Sequence, residues 1–183
     1  KGGKNDTIKI QPGNYTGDRN HSFDAGSYNF QNPESISIVI MGMGANPSDV
    51  VFSGNEDNYR GFIEVPPFKK VTFQNFTIRQ MFNGSDDKSG GAAIAYRRNN
   101  SDLLIDNMRF INNRVHQSSY HSGGGAIYIE RENSDGGIGD IIIRNSQFIS
   151  NSVTDYTFPD NIQNLSYYIK DLIKYRLICL FRK

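Results

Sequence analysis

Tryptophan is missing from this 183-residue chain, and cysteine occurs once, at Cys179. A single thiol excludes an internal disulfide framework and a zinc site built from several cysteines. An excess of either charge is missing as well: 20 Lys and Arg stand against 19 Asp and Glu, for a formal net charge of +1. That balance carries no electrostatic footprint for nucleic acid or for an anionic membrane surface. No run reaches the roughly 20 apolar residues of a membrane-spanning helix. Lys1-Gly2-Gly3-Lys4 is not a signal peptide, and the first residue is not Met, so the chain reads as a fragment of a longer protein. Hydrophobic residues make up only 37% of the chain, while Asn occurs 20 times and Gly 18 times. Scattered evenly, such a composition would fit disorder. It is not scattered evenly: Ile, Val, Phe and Tyr come in short runs separated by turn residues, the pattern of many short strands.

The runs repeat. Residues 8–12 (IKIQP), 38–42 (IVIMG), 71–75 (VTFQN), 103–107 (LLIDN) and 141–145 (IIIRN) align without gaps, their first residues 30, 33, 32 and 38 positions apart. A second set, 61–65 (GFIEV), 91–96 (GAAIAY) and 124–129 (GGAIYI), follows at a nearly constant offset, with Phe30 in the equivalent place of the first repeat. A third and weaker apolar point falls at Val50, Val115 and Val153. Within each run the apolar spacing is two, which excludes an amphipathic helix. A repeat of about 30–38 residues with three short strands and Gly or Asn at the corners predicts an all-β fold, a parallel β-helix (solenoid) of four to five coils. Stacked coils turn each repeat position into a column. The predicted inward columns are Ile8/Ile38/Val71/Leu103/Ile141, Ile10/Ile40/Phe73/Ile105/Ile143, Ile78/Phe110/Phe148 and Ile63/Ile94/Ile127. Outward columns pair Asp106 with Arg144 and Arg97 with Glu130 on adjacent coils, and carry Lys9/Val39/Thr72/Leu104/Ile142 toward an apolar end that calls for a cover.

Two signatures recur in the later repeats. Gly124-Gly125-Ala126-Ile127 is matched by Gly90-Gly91-Ala92-Ala93-Ile94, and Phe110-Ile111-Asn112-Asn113 by Phe148-Ile149-Ser150-Asn151. This pairing resembles the polymorphic outer membrane protein repeat, a right-handed β-helix unit of surface adhesins and other extracellular proteins. The opening segments, 8–15 (IKIQPGNY), 38–44 (IVIMGMG) and 49–54 (DVVFSG), look like the first coils of pectin-lyase-like proteins. The resemblance spans residues 7–153 and implies the fold. Its functions range over lyases, hydrolases, esterases and non-enzymatic adhesins, so it implies no single reaction. Physically, Gly91, Gly124 and Gly125 permit close approach of successive coils. Asn75, Asn107 and Asn145 are placed to stack their amides as a ladder at one corner, and Asn113 and Asn151 stand at another.

Residues with catalytic chemistry are sparse. Glycoside hydrolysis needs two carboxyl groups about 5–9.5 Å apart, yet Asp106 stands alone in its column between Gln74 and Arg144, and Asp86-Asp87 reads as a solvated loop. His21, His116 and His121 lie in polar segments without neighbouring carboxylates or thiols, and no calcium-loop pattern appears around Asp86, Asp87 or Asp135. Neither catalytic residues, cofactor nor metal is therefore assigned. Surface modification has a stronger signal. Asn-x-Ser/Thr occurs seven times, against about 2.5 from composition alone. In a secreted eukaryotic protein Asn5, Asn14, Asn20, Asn83, Asn99 and Asn164 would be glycan acceptors, whereas Asn75 belongs to the inner ladder. An Asn-rich proteome would give the same excess.

After Val153 the repeat degrades into bulky apolar residues mixed with Lys. The chain divides into coils over 1–153 and a divergent last coil, cap or non-family tail over 154–183. The expected function is a non-enzymatic extracellular or surface module for adhesion or glycan binding, with a glycan or a cell-surface protein as partner. The alternative is a carbohydrate-active enzyme, a polysaccharide lyase or glycoside hydrolase, whose catalytic coils have diverged or are missing.

Overall fold

The computed structural model describes residues 6–16, 23–24, 36–54, 63–65, 68–83, 91–97, 101–117, 125–130 and 139–155. Among them the fold is all-β, with one short 3-10 turn at Pro47–Asp49, and every strand pairing is parallel. The arrangement is compatible with a β-solenoid. The first sheet stacks β1 (Asp6–Ile10), β4 (Ser37–Gly42), β7 (Lys70–Gln74), β11 (Asp102–Asp106) and β15 (Ile141–Arg144) in that order. The second runs β2 (Gly13–Thr16), β5 (Val50–Ser53), β8 (Thr77–Arg79), β12 (Arg109–Ile111) and β16 (Gln147–Ile149). The third holds β3 (Phe23–Asp24), β6 (Ile63–Glu64), β10 (Ile94–Arg97) and β14 (Ile127–Glu130), and the fourth β9 (Phe82–Asn83), β13 (Arg114–Gln117) and β17 (Ser152–Asp155). Each sheet thus collects one strand from each successive repeat, at the strand spacing of about 4.8 Å.

The period-two pattern decides which side chains are buried. Val71, Phe73, Leu103 and Ile105 of the first sheet meet Ile78 and Phe110 of the second, Ile63, Ile94 and Tyr96 of the third and Val115 of the fourth in one apolar cluster. Aromatic rings stack along the second sheet, Tyr15 on Phe52 at 5.0 Å and Phe110 on Phe148 at 4.9 Å. Fully burying a side chain such as Phe73, Ile78 or Phe110 contributes about 1.5–3 kcal/mol. Tyr96 is also fully buried, and its hydroxyl donates to the Ser101 carbonyl at 2.7 Å. Exposed apolar side chains lie mainly in the first and last repeats, at Ile8, Ile142, Phe148, Ile149 and Val153.

In the middle of the chain the register follows the gapless alignment: Ile38 pairs with Val71, Leu103 with both Val71 and Ile141, and Ile40 with Phe73. Three positions depart from it. In the first repeat Ile8 pairs with Ile40 and Asp6 with Ile38, two residues away from the alignment. A two-residue slip keeps every side chain on its own face, so alternation cannot detect it. Only the slipped register places Ile10, whose carbonyl accepts from Met43 N–H at 2.8 Å, opposite Gly42. It also carries Pro12, which has no N–H to donate, past the end of β4. Thr7, not Lys9, therefore stands in the column of Val39, and Lys9 joins that of Met41 and Gln74.

Val50 does not share a column with Val115 and Val153. Those two pair in the fourth sheet, whereas Val50 opens β5 in the second. Residues 43–49 are the cause: they contain the 3-10 turn, where later repeats pass from the first sheet to the second in two residues, Asn75-Phe76 and Asn107-Met108. Twelve positions after Ile38 the chain has therefore reached only its second strand. The column of Ile63, Ile94 and Ile127 begins with Phe23. Phe30, Gly124, His21, His121, Asp86, Asp87, Asp135, Cys179 and the tail from residue 156 lie outside the described residues.

Candidate functional site

The residues best placed for chemistry stand on the face of the first sheet opposite the core. Gln74, Asp106 and Arg144 are consecutive across β7, β11 and β15. At the turn after each of these strands comes Asn75, Asn107 or Asn145, with φ of 59°, 51° and 52°. This left-handed conformation costs most side chains roughly 1–2 kcal/mol, whereas Asn tolerates it better. It also turns each Asn amide toward the preceding repeat.

Asn75 donates through Nδ2 to the carbonyls of Gly42 at 3.0 Å and Gly44 at 2.7 Å, and its Oδ1 accepts from Asn107 Nδ2 at 2.9 Å. The ladder then changes partner. Asn145 Nδ2 donates to Asp106 Oδ1 at 2.9 Å, while Arg144 donates to Asp106 Oδ2 at 2.7 Å. Each carboxylate oxygen of Asp106 thus accepts one side-chain hydrogen bond. Its burial acts to raise the carboxyl pKa, but the hydrogen bonds from Arg144 and Asn145, with the guanidinium charge, outweigh that and hold it below the usual carboxylate range. Arg144 remains half-exposed while the Asp106 carboxylate is largely buried, so the pair joins the surface to the wall beneath it.

A second asparagine pair closes the turn between the second and fourth sheets. Asn113 is fully buried; its Nδ2 donates to Ile78 O at 3.1 Å and to Asn151 Oδ1 at 2.9 Å, and its Oδ1 accepts from Met81 N–H at 3.1 Å. Asn151 continues the pattern by donating to Phe110 O at 2.9 Å. Where repeats come closest, a side chain does not fit. A Cβ on Gly125 would lie 2.6 Å from Ser152 N, and one on Gly91 would lie 2.7 Å from Tyr128 N.

Asp106 has no second carboxylate close to it along its own strand. Asp102 shares the strand and the face of Asp106, but four residues of strand separate them by about 13 Å, beyond the span that two cooperating carboxyl groups use. Asp102 Oδ1 accepts instead from Asp140 N–H at 2.9 Å. Among the described residues no group of three or more His, Cys, Asp or Glu is placed to hold a metal ion, and no helix is long and apolar enough to cross a membrane. Arg97 and Glu130 share a register position in β10 and β14.

One constellation escaped sequence reasoning. On the outer face of the second sheet Arg79 Nε donates to Ser53 Oγ at 2.7 Å, and Ser53 Oγ donates to Asn14 Oδ1 at 3.3 Å. The longer turn at 43–49 throws these three residues out of gapless alignment, so no offset could have brought them together. Of the other sequence-predicted acceptors, Asn83 belongs to β9, and Asn5, Asn20, Asn99 and Asn164 lie outside the described residues. Comparison with known proteins adds nothing to this geometry: no family model matches the chain, and no curated protein or solved structure matches it.

Proposed function

We propose that the four sheets are walls of a right-handed parallel β-helix of four to five coils, and that the chain is a non-enzymatic module working outside the cell in adhesion or glycan binding. The engagement of Asp106 within the wall carries this reading. A general acid or nucleophile needs an oxygen available to substrate, whereas both oxygens of Asp106 are held by Arg144 and Asn145. The polar groups of the wall bind one another across repeats, as they do in a scaffold whose flat outer face serves recognition. The resemblance of the Gly-Gly-Ala-Ile and Phe-x-x-Asn motifs to adhesin repeats supports the same role. The decisive experiment pairs a glycan array with turnover assays on pectin-type and other acidic polysaccharides. Binding without release of reducing or unsaturated ends is expected; release of such ends would overturn the reading in favour of a carbohydrate-active enzyme.

A further inference from the structure

Two of the seven Asn-x-Ser/Thr triplets have the acceptor and the hydroxyl residue both described with their side chains: Asn14 with Thr16, and Asn75 with Thr77. They differ at one atom, the amide nitrogen that a glycan would take. At Asn75 both Nδ2 hydrogens are spent on Gly42 O and Gly44 O, and Oδ1 accepts from Asn107. Thr77 is buried and donates its hydroxyl to Pro47 O at 2.7 Å. At Asn14, on exposed β2, the Arg79–Ser53 relay engages only Oδ1. A planar amide held by its oxygen keeps its nitrogen on the other side. Nδ2 of Asn14 has no hydrogen-bond partner among the described residues, and Thr16 is exposed beside it.

We propose that Asn14 is a site of N-linked glycosylation and that the folded chain excludes a glycan from Asn75; this rests on the extracellular role proposed above. The donor is an oligosaccharide linked to a lipid diphosphate. The bond from Nδ2 to the sugar C1 forms as the bond from C1 to the diphosphate oxygen breaks. The lipid diphosphate leaves with that electron pair, and Nδ2 gives up one proton. Asn14 keeps its second N–H and its contact with Ser53 after transfer. Asn75 would lose one of its two donors and would have to seat a sugar between the carbonyls of Gly42 and Gly44. A chain glycosylated there before folding could not close that turn, and the cell would retain it.

The test is to express the 183-residue chain behind a cleavable signal sequence in a glycosylating eukaryotic host. Enzymatic deglycosylation in heavy-oxygen water, followed by peptide mass spectrometry, reads each site. In the folded secreted fraction Asn14 is expected to be occupied and Asn75 bare. N14Q and T16A should each remove one glycan's mass, and the T16A chain, which keeps the asparagine, should retain its circular dichroism spectrum. A bare Asn14 in that fraction, whether or not other sites are filled, or an occupied Asn75 in folded secreted protein, overturns the proposal. Fractionation of the source cells tests the extracellular reading separately. A chain found inside those cells that still shows occupied Asn14 and bare Asn75 in the secretory host would overturn the location and leave the site assignment standing.

Discussion

Asn107 donates its side-chain amide to Asn75 Oδ1 at 2.9 Å across one repeat, and both residues hold the left-handed backbone conformation, at φ 51° and 59°. Each Asn therefore does two jobs, accommodating a conformation that a β-carbon disfavours and linking successive turns. The two can be separated. N107G keeps the backbone and loses the amide, whereas N107A loses both. Chemical denaturation should show N107A destabilised by about 2–3 kcal/mol, with N107G recovering roughly 1 kcal/mol of that. Equal losses would mean that the backbone conformation contributes nothing.

Asn113 should be less forgiving, because it is fully buried and saturated. N113A would leave Met81 N–H and Ile78 O each short of a partner, while Asn151 Oδ1 keeps the Asn113 backbone N–H at 3.0 Å. Unsatisfied buried groups cost about 1–3 kcal/mol each before relaxation, so a loss of about 3 kcal/mol or more is expected. Thermal unfolding would check it, with N151A as the milder comparison.

The Asp106–Arg144 pair predicts an asymmetry. R144A leaves a largely buried carboxylate with Asn145 as its remaining side-chain donor, whereas D106A leaves an arginine that already faces solvent. R144A should therefore be the more costly substitution, and a double-mutant cycle should give a coupling of about 0.2–1 kcal/mol that shrinks in high salt. Reversing D106R should destabilise the chain and R144D should restore it; strictly additive losses would exclude the pairing. Because the folded carboxyl titrates below its unfolded value, its contribution is present above the ordinary carboxylate range, about pH 4, and disappears as pH falls through the folded pKa. In D106N that part of the acid sensitivity should be gone.

Tyr96 predicts the opposite flank. Burial drives its pKa up to about 12 from 10.0, reinforced by Asp102 and opposed by a hydrogen bond from the Gly139 backbone. A raised folded pKa means stability present in full below pH 10 and lost between pH 10 and about 12, by roughly 2–3 kcal/mol. Y96F should cost about 1 kcal/mol at neutral pH, from the lost bond to Ser101 O. It should also flatten the alkaline decline in stability, which an unfolding titration across that range would measure.

Much of the strand map was legible in the sequence, because face selection in a strand depends on a period of two that any short apolar run displays. The pairing of Leu103 with Val71 and Ile141, and of Phe110 with Ile78 and Phe148, follows from that period and the repeat length. The amide ladder was legible only in part. Asn75 and Asn107 meet as their spacing implies, but Asn145 turns to Asp106, where a charged acceptor offers a stronger hydrogen bond than another amide.

What the sequence by itself determined is thus the side of the sheet on which each apolar residue falls and the identity of the corner residues, since both are local properties of alternation and backbone preference. The tertiary structure alone decided how far the repeats slide past one another. Ile8 finds Ile40, Val50 leaves the column of Val115, and Asn14 comes under Ser53 and Arg79. A slide of two residues leaves every face unchanged, and an inserted turn moves a strand into another sheet without altering its pattern. Only hydrogen bonding between repeats, with Pro12 kept off the ladder, distinguishes those alternatives.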